Sequence, residues 1–396
     1  MRAQEFGRKW KSVELSTLVS GVRNINPIRT GDKEFIYIDL SSIDQTEKSI
    51  TGERVVATAE TPSRARQVVS EGDVLVSTVR PNLNGVALVP PRLQDAIAST
   101  GFCVLRAKGE LLDSHYLFNW IKSPPFIAEM VKKATGASYP AVTDRIILDS
   151  RIPLPPLKEQ RRIADILDRA DALRRLRKET LARLDELTRS IFLDMFGDPA
   201  TNPKGWPVHP LEKFLEFLTS GSRGWATYYS ESGSLFLRIQ NVGHDELFLD
   251  DIAYVTPPKT AEAERTAVQP GDVLLSITAD LGRTAVVPSG LGRAFINQHL
   301  AILRTRGLVP RFLSAFISSP ACQLQIQAKN RQGVKAGLNF NDVRSIRVPL
   351  PPLPLQQEFA RRVEAVEHLK TQQRAHLATL DELFASLQHR AFRGEL

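Results

Sequence analysis

Seven histidines, His115, His209, His244, His299, His368, His376 and His389, are scattered along the chain without ligand spacing. His368 and His376 share a helical stretch, but eight residues put two turns between them. Cys103 and Cys322 each stand alone, outside any CxxC or similar pattern, which argues against a zinc site or a disulfide framework. Phosphate cradling of the GxxxxGK[ST] kind needs a Gly-Lys pair, and none occurs. No GxGxxG turn follows a strand-like run, and HExxH and GxSxG are missing. The residue types for catalysis are present, but their constellations are not, so the chain reads as a binding protein without catalysis of its own.

One short stretch has chemical promise. "SPPF" at Ser123 resembles the tetrapeptide with which amino-methyltransferases hold a flipped base. In the second half of the chain the same place reads "SPAC", so the position needs only a Ser-Pro stop and start between helices. A methyltransferase would also need a glycine-rich turn after a strand for its cofactor.

That "second half" is the main organising fact. Trp10 is matched by Trp206, Leu15 by Leu211, Ser123-Pro124 by Ser319-Pro320, "PLPPL" at Pro153 by "PLPPL" at Pro349, and "LDEL" at Leu184 by "LDEL" at Leu380. The offset is 196 at each of these anchors and drifts to 199 at "EGDVLVST" and "PGDVLLSI", as small insertions would make it. Anchors in the same order along 396 residues mean a tandem duplication. Each half opens with short β-like runs ("EFIYIDL", "DVLVSTV", "GFCVLRA"; "SLFLRIQNV", "DVLLSIT", "LAILRTR") and passes through short helical pieces to a proline-rich stretch. Successive prolines favour extended backbone and cannot continue a helix.

A long amphipathic helix follows each time, at about 158–195 and about 355–393. In the second, Phe359, Val363, Val366, Leu377, Leu380, Phe384, Leu387 and Ala391 form a heptad seam, with Lys370 and Gln373 filling the two missing positions. Leu167, Ala170, Leu181, Leu184, Ile191 and Met195 match them in the first, with Arg174 and Arg177 at the interruption. A helix of about 37 residues spans roughly 55 Å, too long for one small core. The expected architecture is therefore α/β (α+β): two similar globular domains separated by two long antiparallel coiled-coil helices, related by pseudo-two-fold symmetry. Boundaries fall at 1–151, 152–197, 198–347 and 348–396.

The net charge of +8 is compatible with nucleic acid, and the two helices hold only +3 of it. The N-terminus has no apolar signal region and no run approaches a membrane span, so a cytoplasmic location is expected. Two similar basic domains held apart by helices suit a long repeating ligand. On duplex DNA equivalent faces recur about every 34–36 Å, and an approximate two-fold axis matches the symmetry of the duplex.

"IPLPPLKEQRRIADILDRADAL", "LDELTRSIFLDMFGDP" and "LDELFASLQHRAFRGEL", with the two "GDVL" runs and "LFLRIQNVG", resemble the specificity subunit of type I restriction-modification systems over the whole length. The resemblance implies two target-recognition domains reading a split, asymmetric DNA target, with an unread spacer between its halves. It also implies helical regions that dock two modification subunits, and restriction subunits that add translocation and cleavage. S-adenosylmethionine, ATP and Mg would sit on those partners, with no cofactor or metal in this chain. A two-domain protein-binding scaffold remains as the other reading, and a stand-alone enzyme as a third.

Phosphate contacts need Arg, Lys and backbone amides; base contacts need forked polar groups on loops. In the first domain "RPNLNG" (Arg80, Asn82, Asn84) and "KKATGASYP" (Lys132, Lys133, Ser138, Tyr139) are candidates. In the second they are "SGSRGWATYY" (Ser222, Arg223, Trp225, Tyr228), Arg238, Asn241 and "KNRQGVKAG" (Lys329, Arg331, Gln332, Lys335). Apolar helix residues outside the seam, Ile163, Ile166, Leu173, Leu176 and Phe192, are candidates for contact with a modification subunit.

Overall fold

The computed structural model describes residues 10–330 and 337–396. The chain folds as two compact units: the first takes the residues up to Thr180 together with Gln373–Leu396, and the second is Leu181–Gln372. The helices used below are α1 (Ser114–Ile121), α2 (Pro124–Lys133), α3 (Leu157–Phe196), α4 (Pro310–Ser318), α5 (Pro320–Lys329) and α6 (Leu353–Arg393). Each unit thus owns the opening half of one long helix and the closing half of the other.

The units are built alike. In the first, one four-stranded sheet runs Arg54–Ala57, Glu34–Ile38, Ile97–Ser99, Ala65–Val68, and another runs Val19–Ser20, Phe102–Ala107, Val74–Ser77, Val86–Leu88. The second repeats the latter order as Leu215–Ser220, Leu300–Thr305, Val273–Ser276, Thr284–Val286. Its other sheet, Tyr229–Ser230, Ala253–Val255, Ser234–Leu237, Ala294–Ile296, keeps three matching strands and has Tyr229–Ser230 at one edge in place of Ala65–Val68 at the other. The proline-rich stretches become part of a third, two-stranded pairing. Arg151–Leu154 lies antiparallel to Lys11–Glu14, and Arg347–Pro349 to Val208–Pro210. Proline is tolerated there because a two-stranded ribbon has two edges.

Two repeated motifs now have physical reasons. In "GDVL" the glycine takes a left-handed turn (Gly72 φ +81°, Gly271 φ +86°) that reverses the chain into a buried strand. The following aspartate closes that turn, Asp73 accepting from the Ser70 N–H and Asp272 from the Gln269 N–H. Each carboxylate also holds an arginine of the neighbouring strand by two bonds, Arg106 at 2.9 and 2.7 Å and Arg304 at 2.8 and 2.8 Å. In "PLPPLxxQ" the buried glutamine fastens the long helix to the globular part. Gln160 accepts from the Asp113 N–H and donates to the Leu111 and Pro155 carbonyls. Gln356 accepts from the Val309 N–H and donates to the Pro351 carbonyl.

Within each unit the helix halves run antiparallel. In the first, Arg162 reaches the Leu396 carbonyl, Arg174 pairs with Asp381 at 2.6 Å, and Arg177 bonds Gln373. In the second, Lys370 pairs with Asp185 at 2.7 Å, while Phe192 and Phe196 of α3 meet the Phe359 ring of α6. The polar interruption expected in the seam is therefore an ion-pair layer inside each unit. Two expected partner-facing residues are instead core. Ile163 is fully buried in the first unit, and Phe192 is buried among Phe196, Phe312 and Phe359 in the second. The helices pack on their globular parts as well as on each other, which a two-helix seam does not anticipate. Ile166 is half-buried, while Leu173 and Leu176 are 54% and 60% exposed.

Candidate nucleic-acid interface

In the first unit the strand Val74–Ser77 ends in Thr78-Val79-Arg80. Arg80 and Asn84 both take left-handed backbone, φ +51° and +47°, which throws Asn82 and Leu83 outward as an exposed tip. The segment after α2 folds back onto this turn. Val79 bridges Ala141, the Arg80 N–H donates to the Pro140 carbonyl at 2.7 Å, and the Val142 N–H donates to the Thr78 carbonyl. Gly136, at φ +101°, permits that return, since a Cβ there would sit 2.8 Å from the Tyr139 carbonyl oxygen. The Arg80 guanidinium then lies 4.8 Å from the centre of the Tyr139 ring, itself 68% exposed. The two stretches singled out in sequence are thus brought into contact.

Stacking on tyrosine fixes the plane of a guanidinium while leaving its N–H fork to the outside, which suits a phosphate or a guanine edge. Beneath the loop, the Lys48 ammonium donates to the Asn84 carbonyl at 2.7 Å. Burial, with Lys122 alongside, pulls Lys48 below the ordinary lysine range. Ser138 and Lys132 are exposed nearby in sequence, and Lys133 is engaged with Glu129 at 2.6 Å. Asn84 is buried, so its part is to shape the loop.

The second unit repeats the arrangement with other residues. After the strand Val273–Ser276, Thr278 bridges Gly337 and Ala279 takes the left-handed turn at φ +64°. Ser222 bridges Asn297 across a close approach: a Cβ on Gly221 would fall 2.1 Å from the Asn297 carbonyl oxygen, so only glycine fits. From Asn297 the chain continues to Gln298 and His299. The Ile277 N–H donates to the His299 carbonyl, and the His299 ring lies 2.6 Å from the Thr278 hydroxyl and 3.0 Å from the Gln298 amide. Ser222, Gln298, His299 and Thr278 are therefore brought together by backbone contacts, with Arg223 exposed beside Ser222.

Three expected base readers of this unit are structural. Trp225 is 6% exposed and packed by Phe236 and Phe295, so its faces are already used. Asn241 is buried, accepting from the Arg238 N–H and donating to the Phe248 and Asp251 carbonyls. Arg238 is turned to Asp251 at 3.3 Å. Tyr228 remains exposed, and Lys329 donates to Ser345 at 2.7 Å. Arg331, Gln332 and Lys335 lie outside the described residues.

Gln298, His299 and Thr278 went unnoticed in sequence. The signal was available in the repeat itself, because "NQH" after the strand Ala294–Ile296 takes the place of "STG" around Ser99, a polar link between two buried strands.

Comparison with known proteins gives a consistent picture. The family of the type I restriction modification DNA specificity domain matches twice, at residues 55–186 and 249–379, about two thirds of the chain. The EcoBI specificity subunit of Escherichia coli is 23% identical over 338 residues, covering 76% of this chain and 70% of that protein. The EcoKI specificity subunit of Escherichia coli strain K12 is 29% identical over 325 residues, covering 74% and 68%. A chain solved in work on complex assembly and conformational transition of the type I R-M system superposes with a TM-score of 0.61 at 29% identity, covering 100% of both chains. The type I S subunit of M. genitalium, at 14% identity and a TM-score of 0.60 over 99% of this chain and 98% of that one, shares the fold. Two matched segments, one on each half of a duplicated α/β fold, place the chain in the type I restriction modification DNA specificity domain family.

Proposed function

We propose that this chain supplies the DNA specificity of a type I restriction-modification complex, each globular unit reading one half of a split, asymmetric target. The observation that carries the reading is the doubled family match coinciding with a doubled site. In both units the turn after the "GDVL" strand is bridged to the segment following the Ser-Pro helix, presenting Arg80 and Tyr139 in one and Thr278 and His299 in the other. Those side chains belong to recognition rather than chemistry, so methyl transfer, translocation and cleavage fall to partner subunits. S-adenosylmethionine, ATP and Mg would be held there. The helices set the spacing of the two half-sites and receive the modification subunits. Leu173 with Leu383 in the first unit, and Leu369 with Leu187 in the second, are exposed leucines at equivalent levels of the helix pair. They support a docking role for the helix surface, alongside Leu176. A complex of this kind works on chromosomal DNA, hence in the cytoplasm; no helix among the described residues is long and apolar enough to cross a membrane.

Single-molecule methylation sequencing of the host genome, with and without the gene, tests the proposal. Loss of one motif of the form short block, fixed gap, short block is the expected result. If every methylated motif survives in the presence of working partner subunits, the reading is wrong and the protein-scaffold alternative takes its place.

A further inference from the structure

The duplication makes an internal control for every position of the helix–domain junction, and at one place the two copies differ in kind. In the first unit Phe384 of α6 packs against the core, with the Arg174 guanidinium 4.5 Å from its ring centre. Arg174 also pairs with Asp171 at 3.0 Å, and Asp171 reaches Lys122, at the end of α1, whose side chain is only 8% exposed. The Lys122 ammonium lies 4.3 Å from the Phe118 ring and 3.4 Å from Asp171. Lys48, at the left-handed position of the hairpin turn (φ +53°), adds a second cation close to Lys122.

The repeat offset of 196 assigns two counterparts in the second unit, Thr188 for Phe384 and Ser318 for Lys122. The hairpin is two residues shorter there, from Val242 to Leu247, and its left-handed position is held by Asp245 at φ +66°. An aryl ring, one ammonium and then another are replaced by two small hydroxyls and a carboxylate. A cavity of about 500 Å3 stands at this place, walled by Thr188, Asp245, Ser318, Glu367 and Lys370 among others. Ligand sites commonly fall in this size range. The side-chain oxygens Thr188 Oγ1, Ser318 Oγ and Asp245 Oδ1 are buried without a hydrogen-bond partner, though Arg311 approaches Asp245 to 3.5 Å. Buried oxygens of this kind are few in native proteins and need a reason. The wall carries five carboxylates, Asp185, Asp198, Asp245, Glu246 and Glu367. Lys370 pairs with Asp185 and Glu367, and Arg311 with Asp245 and Glu367, so that with Arg189 three cations face five carboxylates. At its rim Leu193 and Leu324 are exposed, Leu324 by 64%, which extends the apolar surface beyond the cavity itself.

We infer that this cavity receives a lysine or arginine side chain, flanked by an aromatic or large aliphatic residue, from the modification subunit. The partner supplies in the second unit what Phe384 and Lys122 supply internally in the first. The charge of the wall selects the cation, and the exposed rim leucines Leu193 and Leu324 meet the apolar residue beside it. This rests on the proposal that the chain assembles with modification subunits, and it makes the two docking surfaces of the chain unequal.

The test uses residues that the fold already accepts at the same positions. Thr188→Phe with Ser318→Lys copies the first unit into the second. Binding of the full-length chain to purified modification subunit is then measured by calorimetry, with the melting temperature as a check on folding. The filled variant should keep its melting temperature and lose at least one of two binding steps, or weaken it tenfold or more. Leu324→Lys, exposed and unable to unfold the domain, should weaken the same step by repelling the incoming cation. Millimolar phenethylammonium should compete with assembly of the wild type and have no effect on the filled variant. Unchanged stoichiometry and Kd in a folded filled variant and in Leu324→Lys overturn the inference while leaving the proposed function standing. A wild-type chain that binds no modification subunit overturns both.

Discussion

The two units carry one scaffold with two fillings. What is held in common bonds mainly to backbone: the "GDVL" aspartate to a turn N–H, the "PLPPLxxQ" glutamine to carbonyls and an N–H, and the bridges that fold the segment after the Ser-Pro helix onto the strand turn. What differs is how side chains fill the space between helix and domain. In the second unit Phe192 enters a four-phenylalanine cluster, stacked 5.7 Å from Phe312. Its counterpart Gln388 in the first unit reaches the Asn119 carbonyl instead. The first unit closes its aromatic group with Tyr116, Trp120 and Phe392. Duplicated folds tolerate change where packing can be redistributed, and resist it where a main-chain group would be left without a partner.

That contrast can be broken most sharply at Phe192. Phe192→Ala should cost about 4 kcal/mol, the range for emptying a buried aromatic site, whereas Gln388→Ala should cost about 1 kcal/mol. Urea unfolding of the whole chain distinguishes them, and equal losses would mean that the aromatic cluster is not the second unit's core.

Next is the fastening glutamine. Gln160→Ala strands an N–H and two carbonyls, for an expected loss of about 3 kcal/mol. Gln356→Ala, with fewer such bonds, should lose less. The reverse order would show that the two joints are not equivalent.

A smaller effect is electrostatic and belongs to the second unit alone. Burial pushes Asp245 up to about 6 from an ordinary 3.8, against the pull of Arg311. Between those values the folded chain binds more protons than the unfolded one, so stability falls as pH rises from about 4 to about 6. Asp245→Asn removes this dependence. Its stability relative to wild type should climb across that window by about 2 kcal/mol and level off above it. A flat difference between pH 4 and pH 7 would place the carboxylate in a wetter setting than the structure shows.

The smallest expected change tests DNA reading in the first unit. Arg80→Ala in the assembled complex should reduce the slope of log affinity against log salt by about one phosphate contact if Arg80 meets the backbone. If it meets a guanine edge, the slope should hold and discrimination at one base should fall by about 1–3 kcal/mol. Tyr139→Ala should reproduce a weaker form of either result, since it only steadies the guanidinium.

Much of the scaffold was legible in sequence because it is periodic or punctuated. The doubled "PLPPL" marked where each long helix starts, and Arg174, Arg177, Lys370 and Gln373 marked a polar layer in the seam that the structure fills with ion pairs. The candidate interface was legible only in part. Arg80 and Tyr139 are far apart in the chain, and each was suspected separately, but only the fold shows them stacked. Trp225 and Asn241 misled for a physical reason: a loop tryptophan and a loop asparagine have the same composition whether they face a ligand or close the loop onto its own core. Ile163 and Phe192 misled because heptad reasoning assigns each helix one buried stripe. These helices have a second, against the domains they carry.

The glutamine joints have a consequence for how such a chain can change. Gln160 and Gln356 hold the globular parts through main-chain carbonyls and an N–H, groups that every amino acid but proline supplies. A joint of that kind does not register which side chains stand in the domain beyond it. Reading surfaces can therefore be rewritten freely, one half at a time, while the frame that carries them keeps its dimensions. Novelty in what is read need never be negotiated with the part that measures.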